Sequence, residues 1–130
     1  MEDKKIGISD GEWKIMRALW EKEPRTITEL VAELKEETGW TKHTVITMLS
    51  RLEAKGAVRY QSNGRAKVYS PVLPREDAVQ RETGRFLDKV FDGHLGVMLN
   101  AVMDSRPLTQ AELDELSAIL EKAKGEDSYD

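Results

Sequence analysis

The chain has 130 residues, of which 39% are hydrophobic and 34% are charged, and its formal net charge is -4. This composition is too apolar for a disordered chain, and the length suits one ordinary domain or a small domain with an appendage. The absence of cysteine excludes disulfides and thiolate metal sites. The opening "MEDKK" lacks the layout of a signal peptide, and the longest apolar run, 95–103, is too short to span a bilayer. We therefore expect a cytoplasmic protein without membrane insertion.

Two short helices are predicted near the start of the chain. The segments "SDGE" at 9–12 and "TITE" at 26–29 are capping-box patterns, in which a hydroxyl side chain caps a helix that carries Glu three residues later. Apolar residues recur at helical spacing after each box. Pro24 stops the first helix, and Gly39 ends the second or opens the next turn.

A third helix and a β-hairpin are predicted next. The helix begins near Thr41, carries apolar residues at i, i+3, i+4 and i+7 from Val45, and closes at Gly56. The period then changes to two on either side of "SNG" at 62–64, where Asn-Gly is the strongest short hairpin signal. Three helices followed by a hairpin form a winged helix-turn-helix, whose third helix enters the DNA major groove while the hairpin reaches the backbone.

Three further helices are predicted after a break at Pro71 and Pro74. Gly93 separates the fourth helix from the fifth, which covers about 94–104, and "TQAE" at 109–112 is a third capping box that starts the sixth.

The predicted fold class is mainly α with a small β-hairpin. We assign a winged-helix DNA-binding domain to 1–73, a helical dimerisation region to 74–124 and a flexible tail to 125–130.

Charge is distributed unevenly along the chain. Residues 40–69 carry six basic residues and one acid, whereas residues 92–130 carry nine acids and three bases. A segment of opposite sign to its surroundings is typical of a surface that binds a polyanion. A solvated basic face without a partner would give the same pattern.

DNA contacts are expected from the exposed side of the third helix and from the hairpin tip. Opposite its apolar stripe, the helix carries short hydrogen-bonding side chains framed by cations, which suits reading of base edges while phosphates are held from the rim. For Ile46, burial against a neighbouring helix and contact with a thymine methyl remain equally open. The predicted DNA-binding residues are Thr41, Lys42, His43, Thr44, Ile46, Thr47, Ser50, Arg51, Arg65 and Lys67.

The helices after residue 75 carry more apolar side chains than three short helices can bury alone. The economical way to bury the surplus is against the same helices of a second chain, which predicts a homodimer. The predicted dimerisation residues are Phe86, Leu87, Val90, Phe91, Met98, Leu99, Val102, Leu113, Leu116 and Leu120.

Four segments of the sequence carry a family resemblance: "ISDGEWKIMRALW" at 8–20, "TGWTKHTVITMLSRLEAKGAV" at 38–58, "GRAKVYSP" at 64–71 and "FLDKVF" at 86–91. Through them the sequence resembles, over about residues 6–124, the penicillinase-repressor (methicillin-resistance repressor) family of bacterial winged-helix regulators. The resemblance implies a homodimer that binds an inverted-repeat operator in double-stranded DNA, with a recognition helix from Thr41 to Arg51 and a wing from Val58 to Tyr69.

Two departures from the family concern the inducing signal, which the sequence leaves open. Antibiotic-responsive members are cut by a membrane sensor protease at an Asn-Phe bond in the fifth helix, and the matching bond here is Asn100-Ala101. Copper-responsive members carry a C-terminal cysteine cluster that this chain lacks. Members often have a basic or amide residue at the position of Ile46, so the operator sequence is expected to differ.

No enzyme site, metal site or cofactor is predicted. The sequence contains no nucleophile elbow, phosphate-binding glycine loop or metal-ligand cluster. The leading hypothesis is a homodimeric transcriptional repressor that is released from DNA by proteolysis in the fifth helix or by another signal. The alternative is a winged-helix protein-interaction module without sequence-specific DNA binding.

Overall fold

The computed structural model describes residues 7–127, so the predictions made for "MEDKK" and for residues 128–130 lie outside the described residues. The chain divides into two compact units, Met1–Arg85 and Phe86–Asp130. None of the helices in the described part of the chain combines the length and apolar character needed to cross a bilayer.

Three helices open the first unit: α1 (Asp10–Glu21), α2 (Ile27–Thr38) and α3 (Lys42–Ala54). Both predicted capping boxes are present. The Glu12 N–H donates to Ser9 Oγ at 3.1 Å while the Ser9 N–H donates to Glu12 Oε1 at 3.0 Å. Thr26 and Glu29 make the same reciprocal pair at the start of α2. These bonds satisfy N–H groups that a helix start leaves without partners.

The predicted hairpin is confirmed, and it forms part of a three-stranded antiparallel sheet in the order β1-β3-β2. The strands are β1 (Arg25–Thr26), β2 (Val58–Asn63) and β3 (Ala66–Pro71). Asn63 pairs with Ala66 across the turn, and Gly64 there has φ of 70°, a left-handed conformation that suits glycine. Strand β1 was not predicted, because a two-residue strand is too short to show a period of two.

One apolar core holds the three helices and the sheet together. Most side chains that the sequence places on the inner stripes of the helices are completely buried, Met48 is half-buried, and Tyr69 of β3 closes the core from the sheet side. The Trp20 indole N–H also donates to the carbonyl oxygen of Leu73 at 2.9 Å, which ties α1 to the segment after the wing. The fully buried residues include Ile15, Met16, Leu19, Leu30, Val45, Leu49 and Leu52.

Three more helices follow: α4 (Arg75–Phe91), α5 (Leu95–Ser105) and α6 (Gln110–Asp127). Helix α4 starts just after the predicted break and continues past Arg85 into the second unit. Asp92 and Gly93, with φ of 51° and 81°, end it. Helix α6 extends through 125–127, which the sequence assigned to a flexible tail.

Candidate nucleic-acid interface

The turn between α2 and α3 is fixed by local hydrogen bonds. Gly39 adopts a left-handed conformation with φ of 66° and donates its N–H to Lys35 O at 2.8 Å, which ends α2. The Thr38 hydroxyl donates to Leu34 O and accepts from the Trp40 N–H at 3.1 Å. These bonds set the point at which α3 begins.

Two predicted DNA-binding threonines meet at the start of α3, where Thr41 is the N-cap residue. The Thr41 hydroxyl accepts from the Thr44 N–H at 3.3 Å, and the two hydroxyl oxygens are 3.3 Å apart. Thr41 is exposed and Thr44 is half-buried. Their side chains are therefore held in one geometry at the positive end of the helix, where a phosphate is also attracted.

The inner side of α3 is anchored on α1. Met48 packs so closely on Gly11 that an added Cβ would lie 2.6 Å from the Met48 methyl carbon. At the far end of α3, Lys55 Nζ donates to Gly7 O at 2.6 Å and forms an ion pair with the Glu12 carboxylate. Lys55, one of the six basic residues between 40 and 69, thus has a structural partner.

The buried Glu12 carboxylate depends on that ion pair. Burial raises the pKa of Glu12, but the hydrogen bonds from Lys55 and from the Ser9 N–H outweigh burial and hold the pKa below its usual value. The group is ionised at neutral pH and is only 1% exposed. This pair fixes the start of α1 to the end of α3.

The outer side of α3 faces solvent. His43, Ser50 and Arg51 are exposed and Thr47 is half-buried. Helical periodicity places His43, Thr47 and Ser50 opposite the buried stripe, with Arg51 on the flank toward α1. Short polar side chains on the outer side and a cation on the flank form the arrangement predicted for a recognition helix.

The wing holds its two predicted cations differently. Arg65 lies in the exposed turn that connects β2 to β3. Lys67 lies with its ammonium 4.2 Å from the centre of the Tyr60 ring, and this ring packs on Tyr69 with a centroid distance of 5.6 Å. The cation–π contact positions Lys67 without neutralising its charge.

A cleft of about 520 Å³ separates α3 from the wing. The start of α2 contributes Thr26, Ile27 and Thr28 to its walls, which the sequence had not assigned to the site. The capping box "TITE" is the signal that marks this helix start and its positive dipole end. The predicted residues that line the cleft are Lys42, Ile46, Ser50, Arg65 and Lys67.

Ile46 belongs to this cleft and not to the core. Its side chain is 37% exposed, and it is absent from the cluster of buried residues and from the partly buried residues packed on that cluster. Burial against a neighbouring helix, one of the two roles left open for it, is therefore excluded within this unit. The other predicted residues, Thr41, His43, Thr44, Thr47 and Arg51, lie elsewhere on α3 and do not line the cleft.

The predicted dimerisation residues in the second unit are all half-buried or exposed, and we call the exposed ones its apolar face. Helix α5 has no buried residue at all. Leu87, Phe91, Met98 and Leu116 are half-buried. The exposed members of the predicted set are Phe86, Val90, Leu99, Val102, Leu113 and Leu120. An apolar cavity of about 240 Å³ lies between α5 and α6.

The turn between α5 and α6 is fixed by charge. The third predicted capping box is present, with Thr109 and Glu112 bonded reciprocally at 2.9 and 3.1 Å. Arg106 binds Glu112 through two nitrogens at 2.9 and 3.0 Å, and this hydrogen bonding, with help from the Thr109 N–H, lowers the pKa of Glu112 to about 2. Asn100 is exposed and Ala101 is half-buried, and both lie within α5.

No group of three or more His, Asp or Glu side chains between residues 7 and 127 is placed to hold a metal ion. His94 precedes α5 and makes no side-chain capping bond there. The fold, with polar side chains on the outer side of α3 and cations on its flank and on the wing, defines the class of protein as a winged-helix regulator.

Comparison with known proteins identifies the family. The sequence model of the penicillinase repressor family matches residues 8–122. The penicillinase repressor of Bacillus licheniformis is 32% identical over 117 residues, covering 90% of this chain and 91% of that protein. The methicillin resistance regulatory protein MecI of Staphylococcus aureus strain N315 is 25% identical over 122 residues, covering 94% of this chain and 99% of that protein.

The chain belongs to the penicillinase repressor family, whose members are transcriptional repressors and not enzymes. Among solved structures, the DNA-binding domain of the repressor BlaI matches with 36% identity and a TM-score of 0.50, covering 54% of this chain and 85% of that one. A transcriptional regulator of Thermotoga maritima, 20% identical with a TM-score of 0.53 over 95% of this chain and 82% of its own, shares the fold. The resemblance to the family and the predicted fold class are thus confirmed.

Proposed function

We propose that this protein is a homodimeric repressor that binds an inverted-repeat operator in double-stranded DNA through α3 and the wing. The observation that carries the proposal is the convergence of Lys42, Arg65 and Lys67 on one cleft beside the exposed outer side of α3. A 36% identical structure described as the DNA-binding domain of a repressor supports the same assignment.

The side chains divide the work of recognition. His43, Thr47 and Ser50 on the outer side of α3 read base edges in the major groove, and Ile46 offers an apolar contact to a thymine methyl. Lys42, Arg65 and the other cations bind phosphates, which positions the protein but does not specify sequence.

Pairing through the second unit places two winged helices on one operator. The exposed apolar face on α4, α5 and α6 supports this step, because such a face favours burial against a second copy. Half-sites are then expected about one helical turn apart, or a near multiple of that distance.

The repressor acts in the cytoplasm. It is released from DNA when the two chains of the dimer separate. A membrane sensor protease that cuts Asn100–Ala101 would divide α5 and remove much of the apolar face. A protease needs an extended peptide, so α5 must open first, and a helix without buried residues opens at low cost. Pairing would protect this bond.

The salt dependence of DNA binding tests the proposal. Of the six basic residues in 40–69, Lys55 is committed to Glu12, which leaves the others to act on DNA. With roughly six to ten phosphate contacts per dimer, affinity should fall about a thousandfold or more between roughly 50 and 200 mM salt.

The measurement is fluorescence anisotropy with a duplex selected from a random library, alongside a scrambled duplex of the same composition. A steep salt response with preference for the selected duplex supports the proposal. A flat response, or no preference for any sequence, would favour a protein-interaction module instead.

A further inference from the structure

The cleft between α3 and the wing contains one acid among its cations. Glu53 lies on the same flank of α3 as Lys42 and lines the cleft together with Arg65 and Lys67. It is the single acidic residue between positions 40 and 69. The negative charge of Glu53 therefore reduces the net positive charge with which the cleft attracts a phosphate.

The Glu53 carboxylate has no role that the folded unit requires. It is exposed, and within residues 7–127 it forms no salt bridge. Other acids of this unit that lie near cations do pair, as Glu37 does with Lys14 at 2.7 Å and with Arg17 at 2.9 Å. Its charge does reach the cleft wall, since it contributes to the raised pKa of Tyr69, after burial as the main cause.

We propose that Glu53 limits the affinity of the cleft for DNA, an inference that rests on the proposed function. A phosphate that approaches Lys42, Arg65 and Lys67 also approaches the Glu53 carboxylate, and the like charges repel. Since the repulsion acts on the phosphate backbone, it weakens binding to operator and to random DNA alike. As a consequence, the repressor moves from one DNA site to another more readily than it would with the cations of the cleft alone.

The expected size follows from Coulomb's law. At an effective dielectric constant of roughly 30, between the values for a protein surface and for water, and with salt screening, a unit charge about 8–10 Å from a phosphate changes affinity by roughly two- to threefold for one winged helix. Two protomers on one operator multiply this to about four- to tenfold. The effect should shrink as salt shortens the Debye length.

A charge series at this one position tests the inference. Glu53→Gln and Glu53→Lys in the full-length protein should tighten binding in two successive steps of similar size, for both the selected and the scrambled duplex. Glu36→Gln is the matched control, because Glu36 is an exposed acid on α2 outside the cleft and its loss changes the net charge equally. That control should change affinity by less than twofold.

Each outcome decides the matter. If Glu53→Gln weakens binding to the selected duplex alone, the carboxylate makes a favourable base contact and the inference is wrong. If Glu36→Gln tightens binding as much as Glu53→Gln, the effect belongs to net charge and not to the cleft. Failure of the proposed function itself is seen separately, in a wild-type protein that lacks either the salt dependence or the preference for the selected duplex.

Discussion

The two units of this protein use amphipathic helices of the same kind in opposite ways. In the first unit the apolar stripes meet in one core, and Ile15 and Leu49 are completely buried. In the second unit the stripes face outward, and Phe86 and Leu120 are 52% and 60% exposed. An apolar stripe in the sequence therefore does not distinguish a helix face that packs within its own chain from one that is left exposed for a second chain.

This difference suggests a division of labour. In the first unit, the N–H groups at the helix starts are hydrogen-bonded and the apolar side chains are buried within the unit. This unit also carries the cations, so it can present a fixed surface to DNA. The second unit leaves its apolar side chains exposed, which favours pairing with a second chain. Its acidic charge disfavours contact with DNA. The following changes should separate the two roles.

The largest effect is expected from a charge on the apolar face. Val102 is 37% exposed and lines the cavity between α5 and α6, and Val102→Glu places a carboxylate at this position, which we expect to be covered in the dimer. Burial of an unpaired charge is costly, so pairing should be lost. Operator affinity should then fall by about 100- to 10,000-fold, since the second half-site contact is no longer intramolecular. Anisotropy with the selected duplex measures the loss.

Asn100→Glu is the control for that change. It adds the same charge to α5 at a position about 160° around the helix from Val102 by helical geometry. Pairing and affinity should stay close to those of the wild type. Equal loss in both variants would show that added charge in α5 unfolds the helix and that its face is not specifically involved.

The next effect concerns the first unit alone. Lys55→Met leaves the Glu12 carboxylate buried without its ion pair. Breaking a fully buried pair costs about 3–5 kcal/mol, and because the Lys55 side chain is 32% exposed we expect about 2–3 kcal/mol in the free energy of unfolding. Urea titration measures it. The double variant Glu12→Gln/Lys55→Met should be more stable than Lys55→Met, because the glutamine keeps the capping box without a buried charge.

The same pair should make the stability of the first unit depend on pH. The pKa of Glu12 is lower in the folded protein than in the unfolded chain, so its stabilising contribution is complete above the unfolded pKa of about 4.5. It is lost as the pH falls from there through the folded value. Glu12→Gln should flatten the stability curve in that acid range, and an unchanged curve would contradict the assigned role.

A substitution at Thr47 should weaken recognition of the operator sequence without changing the pairing of the two chains. Thr47→Ala removes a hydroxyl from the outer side of α3 and should cost about 1–3 kcal/mol with the selected duplex, and far less with the scrambled duplex. Competition anisotropy gives both values. Thr83→Ala, at an exposed position on α4, is the control and should leave both affinities unchanged. Equal losses on the two duplexes would remove Thr47 from the base-reading set.

The smallest effect is expected at the tip of the wing. Arg65→Ala removes a phosphate contact, so it should weaken binding to all sequences by a similar factor and reduce the salt slope by about one per winged helix. Arg75→Ala removes an equal charge outside the cleft and should not change the slope. A change of sequence preference in Arg65→Ala would mean that the wing reads bases.

Local signals made most of the fold predictable. The three capping boxes, Gly39 and Asn63-Gly64 each act within a few residues, and each is found where the sequence placed it. Strand β1 depends on pairing of Arg25 with Tyr69, a distant partner that no local pattern reveals.

The candidate site was predictable in part. Helical periodicity separates the outer side of α3 from its buried stripe, which yields Thr47 and Ser50. It cannot show that Lys55 is bound to Glu12, or that Glu53 shares a cleft with Lys67, because both depend on how distant segments pack.

Counting the chains bound to one operator tests the central claim most directly. Sedimentation velocity of the intact protein with a labelled duplex that carries two selected half-sites should show two chains on each duplex, bound together at concentrations where a single half-site stays free. Val102→Glu should bind the two half-sites independently and with the weak affinity of one. Two results would contradict the account: a single intact chain that binds the full operator as tightly as two chains do, or a Val102→Glu variant that still binds as a pair. Either result would mean that DNA contact is not the role of the first unit alone and pairing that of the second.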